Sequence, residues 1–118
     1  MKKAFTLPTC KTCQKIFDDL TPESKGCDII NIKEEGISAS DLDLMKQHVG
    51  SYEALFSRRA IKFRSMGLAD KNLSEKDYRT LILSEYTFLK RPVFLFENSV
   101  TVGSRKIEVE RARELLGQ

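Results

Sequence analysis

No apolar run in this 118-residue chain approaches the roughly 18 residues that a membrane-spanning helix requires. The opening stretch Met1–Leu7 is basic at first, and its apolar part is broken at Pro8 and Thr9. It is too short for the core of a secretion signal. A cytoplasmic location is the expectation. There are only three cysteines and one histidine. An odd, small cysteine count in a reducing compartment argues against a structural disulfide framework. A tetrahedral metal site needs about four ligands. The only soft candidates are Cys10, Cys13, Cys27 and the distant His48, so no metal is expected. Proline and glycine number three and six, and no linker, repeat or low-complexity segment interrupts the chain. The net charge of +3 is mild, and no basic stripe interleaved with aromatics appears, which argues against direct nucleic-acid binding.

What is present is an alternation of element types. Lys3–Leu7 reads as a strand ended by Pro8. In the helix that follows, Cys13, Ile16, Phe17 and Leu20 recur at one-face spacing. Cys27–Ile32 is rich in β-branched residues and reads as a second strand, completing a βαβ unit with parallel strands. The middle of the chain is helical. Ser38 and Asp41 open a helix that Gly50 stops, Ser51–Phe56 and Ala60–Met66 are further helical pieces, and Ser74 caps a helix running to about Thr87. The period then changes. Pro92–Phe96 and Val100–Val102 read as a hairpin about Glu97-Asn98-Ser99, and Ile107–Leu116 closes with a helix. The expected architecture is one α/β domain over 1–118. Its sheet is mixed and four-stranded, with a helical insertion at about 38–90 between the second and third strands.

The chemistry lies at Thr9-Cys10-Lys11-Thr12-Cys13, a C-x-x-C between a strand and a helix. Backbone N–H groups at a helix N-terminus point outward, and the helix dipole there favours negative charge. Cys10 sits at that point, so its thiolate should be favoured, with Lys11 as a neighbouring cation. Cys13 lies one turn further in, placed to attack a mixed disulfide formed at Cys10. Cys10 is the expected nucleophile and Cys13 the resolving thiol. In this βαβ context the motif signals a thioredoxin-like redox site. Cys27 reads instead as a small buried hydrophobe.

Two further groups of residues bear on the site. Arg91-Pro92 precedes the first hairpin strand, in the loop expected beside the C-x-x-C. A cis bond there would bring the backbone against the thiols, with Arg91 near Cys10. Ser57-Arg58-Arg59 lies between helical pieces. It reads either as a solvated basic face or as part of an oxyanion site, since a guanidinium fork suits such anions. Arg105, near the last helix, is a third arginine of the same kind.

Together these segments resemble the arsenate reductase (ArsC)/Spx family, over essentially the whole chain. The resemblance rests on Thr9-Cys10-Lys11-Thr12-Cys13-Gln14-Lys15, Leu55-Phe56-Ser57-Arg58-Arg59 with Phe63-Arg64, Leu89-Lys90-Arg91-Pro92-Val93 and Val102-Gly103. It implies a glutaredoxin-like fold with an inserted helical region. For the reductase branch it implies that Cys10 attacks a bound oxyanion such as arsenate. Arg59, Arg91 and Arg105 would hold that anion. No cofactor would be bound, and glutathione with glutaredoxin, or thioredoxin, would return the electrons. Those reductases need one cysteine at the motif. The Spx branch has the pair seen here and uses it as a redox switch on RNA polymerase. Both branches stay open, as thiol oxidoreductase or as redox-sensing regulator.

Overall fold

Lys2–Thr6 forms strand β1 at the centre of the chain's single sheet, in a computed structural model that describes residues 1–117. Helix α1 (Lys11–Leu20) follows, then β2 (Asp28–Asn31) and a single helical turn, α2 (Ile32–Glu35). The central segment contributes α3 (Ala39–Val49), the short α4 (Ile61–Ser65) and α5 (Glu75–Ser84). Strands β3 (Val93–Phe96) and β4 (Val100–Val102) and helix α6 (Lys106–Leu116) complete it. Strand order is β2-β1-β3-β4. β1 pairs with β2 in parallel, with Ala4 opposite Ile29, and antiparallel with β3, with Ala4 opposite Phe94. β3 and β4 form the antiparallel hairpin, with Phe94 opposite Thr101. This is the mixed four-stranded α/β sheet expected from the sequence, in thioredoxin-like order.

The chain divides into two compact units. One is Met1–Glu35 with the segment from Arg91 onward, and the other is Gly36–Lys90. In the first, α1 turns Cys13, Ile16 and Leu20 inward. Ile16 and Leu20 pack with Ala4, Phe94 and Phe96 of the sheet and with Ala112 and Leu116 of α6. Phe17 lies on Phe94, ring centres 5.5 Å apart. Cys27 belongs to this core and is buried, as a small hydrophobe would be. The same face of α1 therefore anchors the helix and carries the inner thiol of the C-x-x-C. The other sheet face presents Phe5, Val93 and Leu95, all fully buried.

In the second unit Phe56 is the centre of an aromatic cluster with Phe63, Tyr78 and Phe88. The backbone there is pinned by an antiparallel bridge between Phe56 and Leu89. Ser57 N–H donates to the Phe88 carbonyl at 2.7 Å, and Lys90 N–H to that of Leu55 at 2.9 Å. Arg79 on α5 grips the Asp43 carboxylate on α3 with two nitrogens, and the Tyr52 hydroxyl donates to the same group at 2.6 Å. These bonds hold Asp43 down to about 2, well below the usual carboxylate range. Its contribution to stability is therefore complete above the ordinary Asp value. It is lost only as pH falls through the folded value, so α3–α5 pairing should persist to about pH 2–3, checked by the chemical shift of the Asp43 carboxyl in an acid titration.

Most element ends shift by a residue from expectation, and three differences arise where a side chain competes for backbone. β2 ends at Asn31 rather than Ile32, because the Asn31 side chain accepts the Lys33 and Glu34 N–H groups and caps α2. The Ser51–Phe56 piece is only a 3-10 turn at Glu53–Leu55, held by the Glu75 carboxylate, which accepts the N–H groups of Tyr52 and Glu53. α5 stops at Ser84, and Glu85 turns extended to cap the Tyr86–Phe88 turn with its own carboxylate. Its start is as expected. Ser74 Oγ accepts the Asp77 N–H and the Asp77 carboxylate accepts the Ser74 N–H, a full capping box. Ser74→Ala should lower unfolding free energy by about 1 kcal/mol, read from the urea midpoint at unchanged slope.

Candidate thiol active site

β1 runs out at Thr6, and the next residues are fastened to α1 before the helix begins. Cys10 N–H donates to the Leu7 carbonyl at 2.9 Å, and the Gln14 side-chain amide donates to the Pro8 carbonyl. Cys10 is the N-cap residue of α1, with extended φ,ψ of −88° and 112°, and its own carbonyl accepts the Gln14 N–H at 3.0 Å. No side chain caps this helix start. The first-turn N–H groups thus face the Cys10 sulfur instead of a serine or aspartate oxygen.

The two thiols differ sharply in access. Cys10 is partly exposed, whereas Cys13 has no exposed surface. Burial pushes the Cys10 thiol up, but the N–H and thiol of Cys13, the Arg91 guanidinium and the Thr12 N–H outweigh it and hold it below the ordinary thiol value. Burial pushes Cys13 up, reinforced by the neighbouring Cys10, against the opposing Leu7 backbone and Thr6 side chain. Burial likewise raises Cys27. The outward thiol gives up its proton more readily than an ordinary thiol, and the inward one less readily.

Arg91 and Pro92 stand where the sequence places them, at the entry to β3, and the peptide bond between them is cis. Arg91 is half-buried, and its charge bears on Cys10. The turn after β4 is tied to the same loop, since Gly103 N–H donates to the Pro92 carbonyl at 2.9 Å. That bond needs a left-handed residue, and Gly103 has φ +90°. Arg105 follows as the exposed N-cap of α6. Lys11 is the exposed first residue of α1, and the guanidinium of Arg91 is the cation that acts on Cys10.

The basic run of the second unit divides into two roles. Arg58 is committed to structure. It donates to Glu53 and to the Tyr78 hydroxyl, both at 2.8 Å, and lies 5.7 Å from the Tyr78 ring centre. Arg59 lines a shallow cleft with Ala60, Ile61, Arg64 and Ser65. Among the described residues no three His, Cys, Asp or Glu side chains converge as a metal site would require, and no helix is long and apolar enough to cross a membrane. Two contributors to the site were not singled out from sequence. Thr6 is buried against Cys13, and Gln14 holds the Pro8 carbonyl. Gln14 was findable, since it lies one turn after Cys10.

The family model described as "ArsC family" matches residues 5–112, which includes both thiols, Arg91 and Arg105. This chain belongs to the ArsC family. Among curated proteins, the uncharacterized protein YusI of Bacillus subtilis is 28% identical over 106 residues, covering 87% of this chain and 90% of YusI. Among solved structures, a possible arsenate reductase from Streptococcus mutans superposes with TM-score 0.76 at 26% identity, covering 90% of this chain and 92% of that one. The arsenate reductase from Vibrio cholerae does so with TM-score 0.74 at 16% identity, over 98% of this chain and 93% of that one, and supports the fold alone.

Proposed function

We propose that this ArsC-family protein is a two-thiol reductase in which Cys10 attacks and Cys13 resolves, acting on a small oxyanion of the arsenate type or on a disulfide. The observation that carries the reading is the pairing of unlike thiols on one helical turn. Cys10 is reachable and ionises more readily than an ordinary thiol, and Cys13 is buried in the core. On a disulfide, the Cys10 thiolate forms a bond to one sulfur and the other leaves as a thiolate. Cys13 then loses its proton and attacks the Cys10 sulfur. The Cys10–Cys13 disulfide forms, and the second substrate thiol departs. On arsenate, Cys10 displaces an oxygen as water to give an S–As(V) bond. Attack by Cys13 on the Cys10 sulfur then breaks that bond, with its electron pair passing to arsenic as As(III). Either way two electrons leave the thiol pair, and glutathione with glutaredoxin, or thioredoxin, restores it.

Arg91 is the principal anion-binding group in this reading, with Arg105 as a further contributor. The name of the solved relative from Streptococcus mutans, a possible arsenate reductase, supports the oxyanion. The deciding experiment is arsenate turnover with glutathione and glutaredoxin, run beside a thioredoxin-coupled disulfide assay. Turnover in either that vanishes in Cys10→Ser supports the reductase. If neither turns over while the Cys10–Cys13 disulfide still forms reversibly, the reductase reading fails. The pair is then a switch of the Spx kind, and binding to RNA polymerase in the two redox states is the next measurement.

A further inference from the structure

Arg59 and Arg64 both line the cleft in the Gly36–Lys90 unit, with Ala60, Ile61 and Ser65 completing its wall. Among the described residues neither guanidinium makes a hydrogen bond or an ion pair. Their basic neighbours are taken, Arg58 by Glu53 and Tyr78, and Lys62 by Glu85 at 2.8 Å. Two free forks therefore border one concavity, an arrangement suited to a group bearing two negative charges.

The cleft encloses about 400 Å³. That is in the range of small-molecule sites. A water's share of volume is roughly 30 Å³, so four oxygens around one centre fill only about a third of the space. Besides Ser65, the remaining wall is apolar. Ala60 is buried, while Ile61 is 86% exposed, a large β-branched side chain left in water at the edge of a charged cleft. A bare oxyanion would use the arginines and leave Ile61 wet, whereas an anion carried on an apolar body would use both.

We infer that this cleft is a second ligand site, built by Arg59, Arg64 and Ile61, for a phosphomonoester with an apolar substituent. Such a group carries nearly two charges near neutral pH, matching the two guanidinium groups. Arg59, Arg64 and Ile61 all lie in the Gly36–Lys90 unit, outside the unit that carries the thiols, so the two readings separate by variant.

The test is isothermal titration calorimetry of the whole chain in phosphate-free buffer, with phenyl phosphate as probe and inorganic phosphate for comparison. Phenyl phosphate should bind more tightly than inorganic phosphate. Arg64→Gln should weaken it about tenfold, the loss of one charge-assisted contact. Ile61→Ser should weaken phenyl phosphate and leave inorganic phosphate unchanged. Lys76→Gln, which removes an exposed charge elsewhere in the unit, should bind as the parent does. The inference is overturned if Arg64→Gln binds as well as the parent, if Lys76→Gln loses as much, or if the two phosphates bind equally. Loss of binding in Arg91→Ala would also overturn it, by assigning the anion to the thiol site instead.

Discussion

Cys13→Ser should stop turnover after its first half, leaving one equivalent of mixed disulfide on Cys10. The attacking sulfur is untouched, because Cys10 is partly exposed and its thiolate is favoured by the first-turn N–H groups and Arg91. What is lost is the only thiol one turn away, and the resolving step becomes bimolecular. Tethering is worth effective molarities of about 10⁵ M or more in well-oriented systems, so the steady-state rate at millimolar donor thiol should fall by several orders of magnitude. Mass spectrometry of the intact chain after one substrate addition should show the adduct on Cys10 in Cys13→Ser and none in the parent. Cys10→Ser should give neither adduct nor turnover, because Cys13, fully buried, cannot be reached from outside. The same contrast fixes the order of alkylation. The lowered Cys10 keeps a thiolate fraction as pH falls, while the raised Cys13 and Cys27 have lost theirs. Iodoacetamide at neutral pH should therefore label Cys10 first. Faster labelling of Cys27, or an adduct on Cys13 in the Cys10→Ser protein, would sink the assignment.

The sheet and the thiol site were legible in the sequence because their signals are local and dense. The period of Cys13, Ile16, Phe17 and Leu20 put the inner thiol on the core face of α1, where it lies. The β-branched run after Cys27 and the break at Glu97-Asn98-Ser99 defined the strands on either side of β1 and the hairpin. What could not be read depends on partners distant in sequence. Whether Arg58 or Arg59 is free is decided by Tyr78, 20 residues on, whose hydroxyl and ring engage Arg58. The turn at Glu53–Leu55 is held by Glu75, more than 20 residues downstream. The Arg91 charge that acts on Cys10 was legible by contrast, because Arg91-Pro92 at the entry to β3 marks the loop beside the motif. Periodicity sees which face a residue occupies, whereas these pairings are set by how segments far apart along the chain come together.

Arg91→Ala should change two measurements at once, and their coincidence distinguishes an active-site arginine from a structural one. Arg91 is half-buried at the entry to β3, followed by the buried Pro92, so little side-chain freedom remains to be lost when it meets an anion. A charge-assisted bond of this kind contributes roughly 1.5–3 kcal/mol, so oxyanion affinity should fall about ten- to a hundredfold, measured by calorimetry with sulfate or arsenate. The second measurement is the pH dependence of Cys10 alkylation. Arg91 is one of the groups that lower the Cys10 thiol, so its removal should move the profile toward higher pH. Arg91→Lys separates the two contributions. It restores the positive charge, and with it much of the alkylation profile, but not the planar fork, so anion affinity should remain low. Arg105→Ala should do less to both, because Arg105 is an exposed cap residue that must be ordered before it can bind. If Arg91→Ala binds sulfate as the parent does while the Cys10 profile moves, Arg91 serves the thiolate alone. The substrate is then a neutral disulfide rather than an oxyanion.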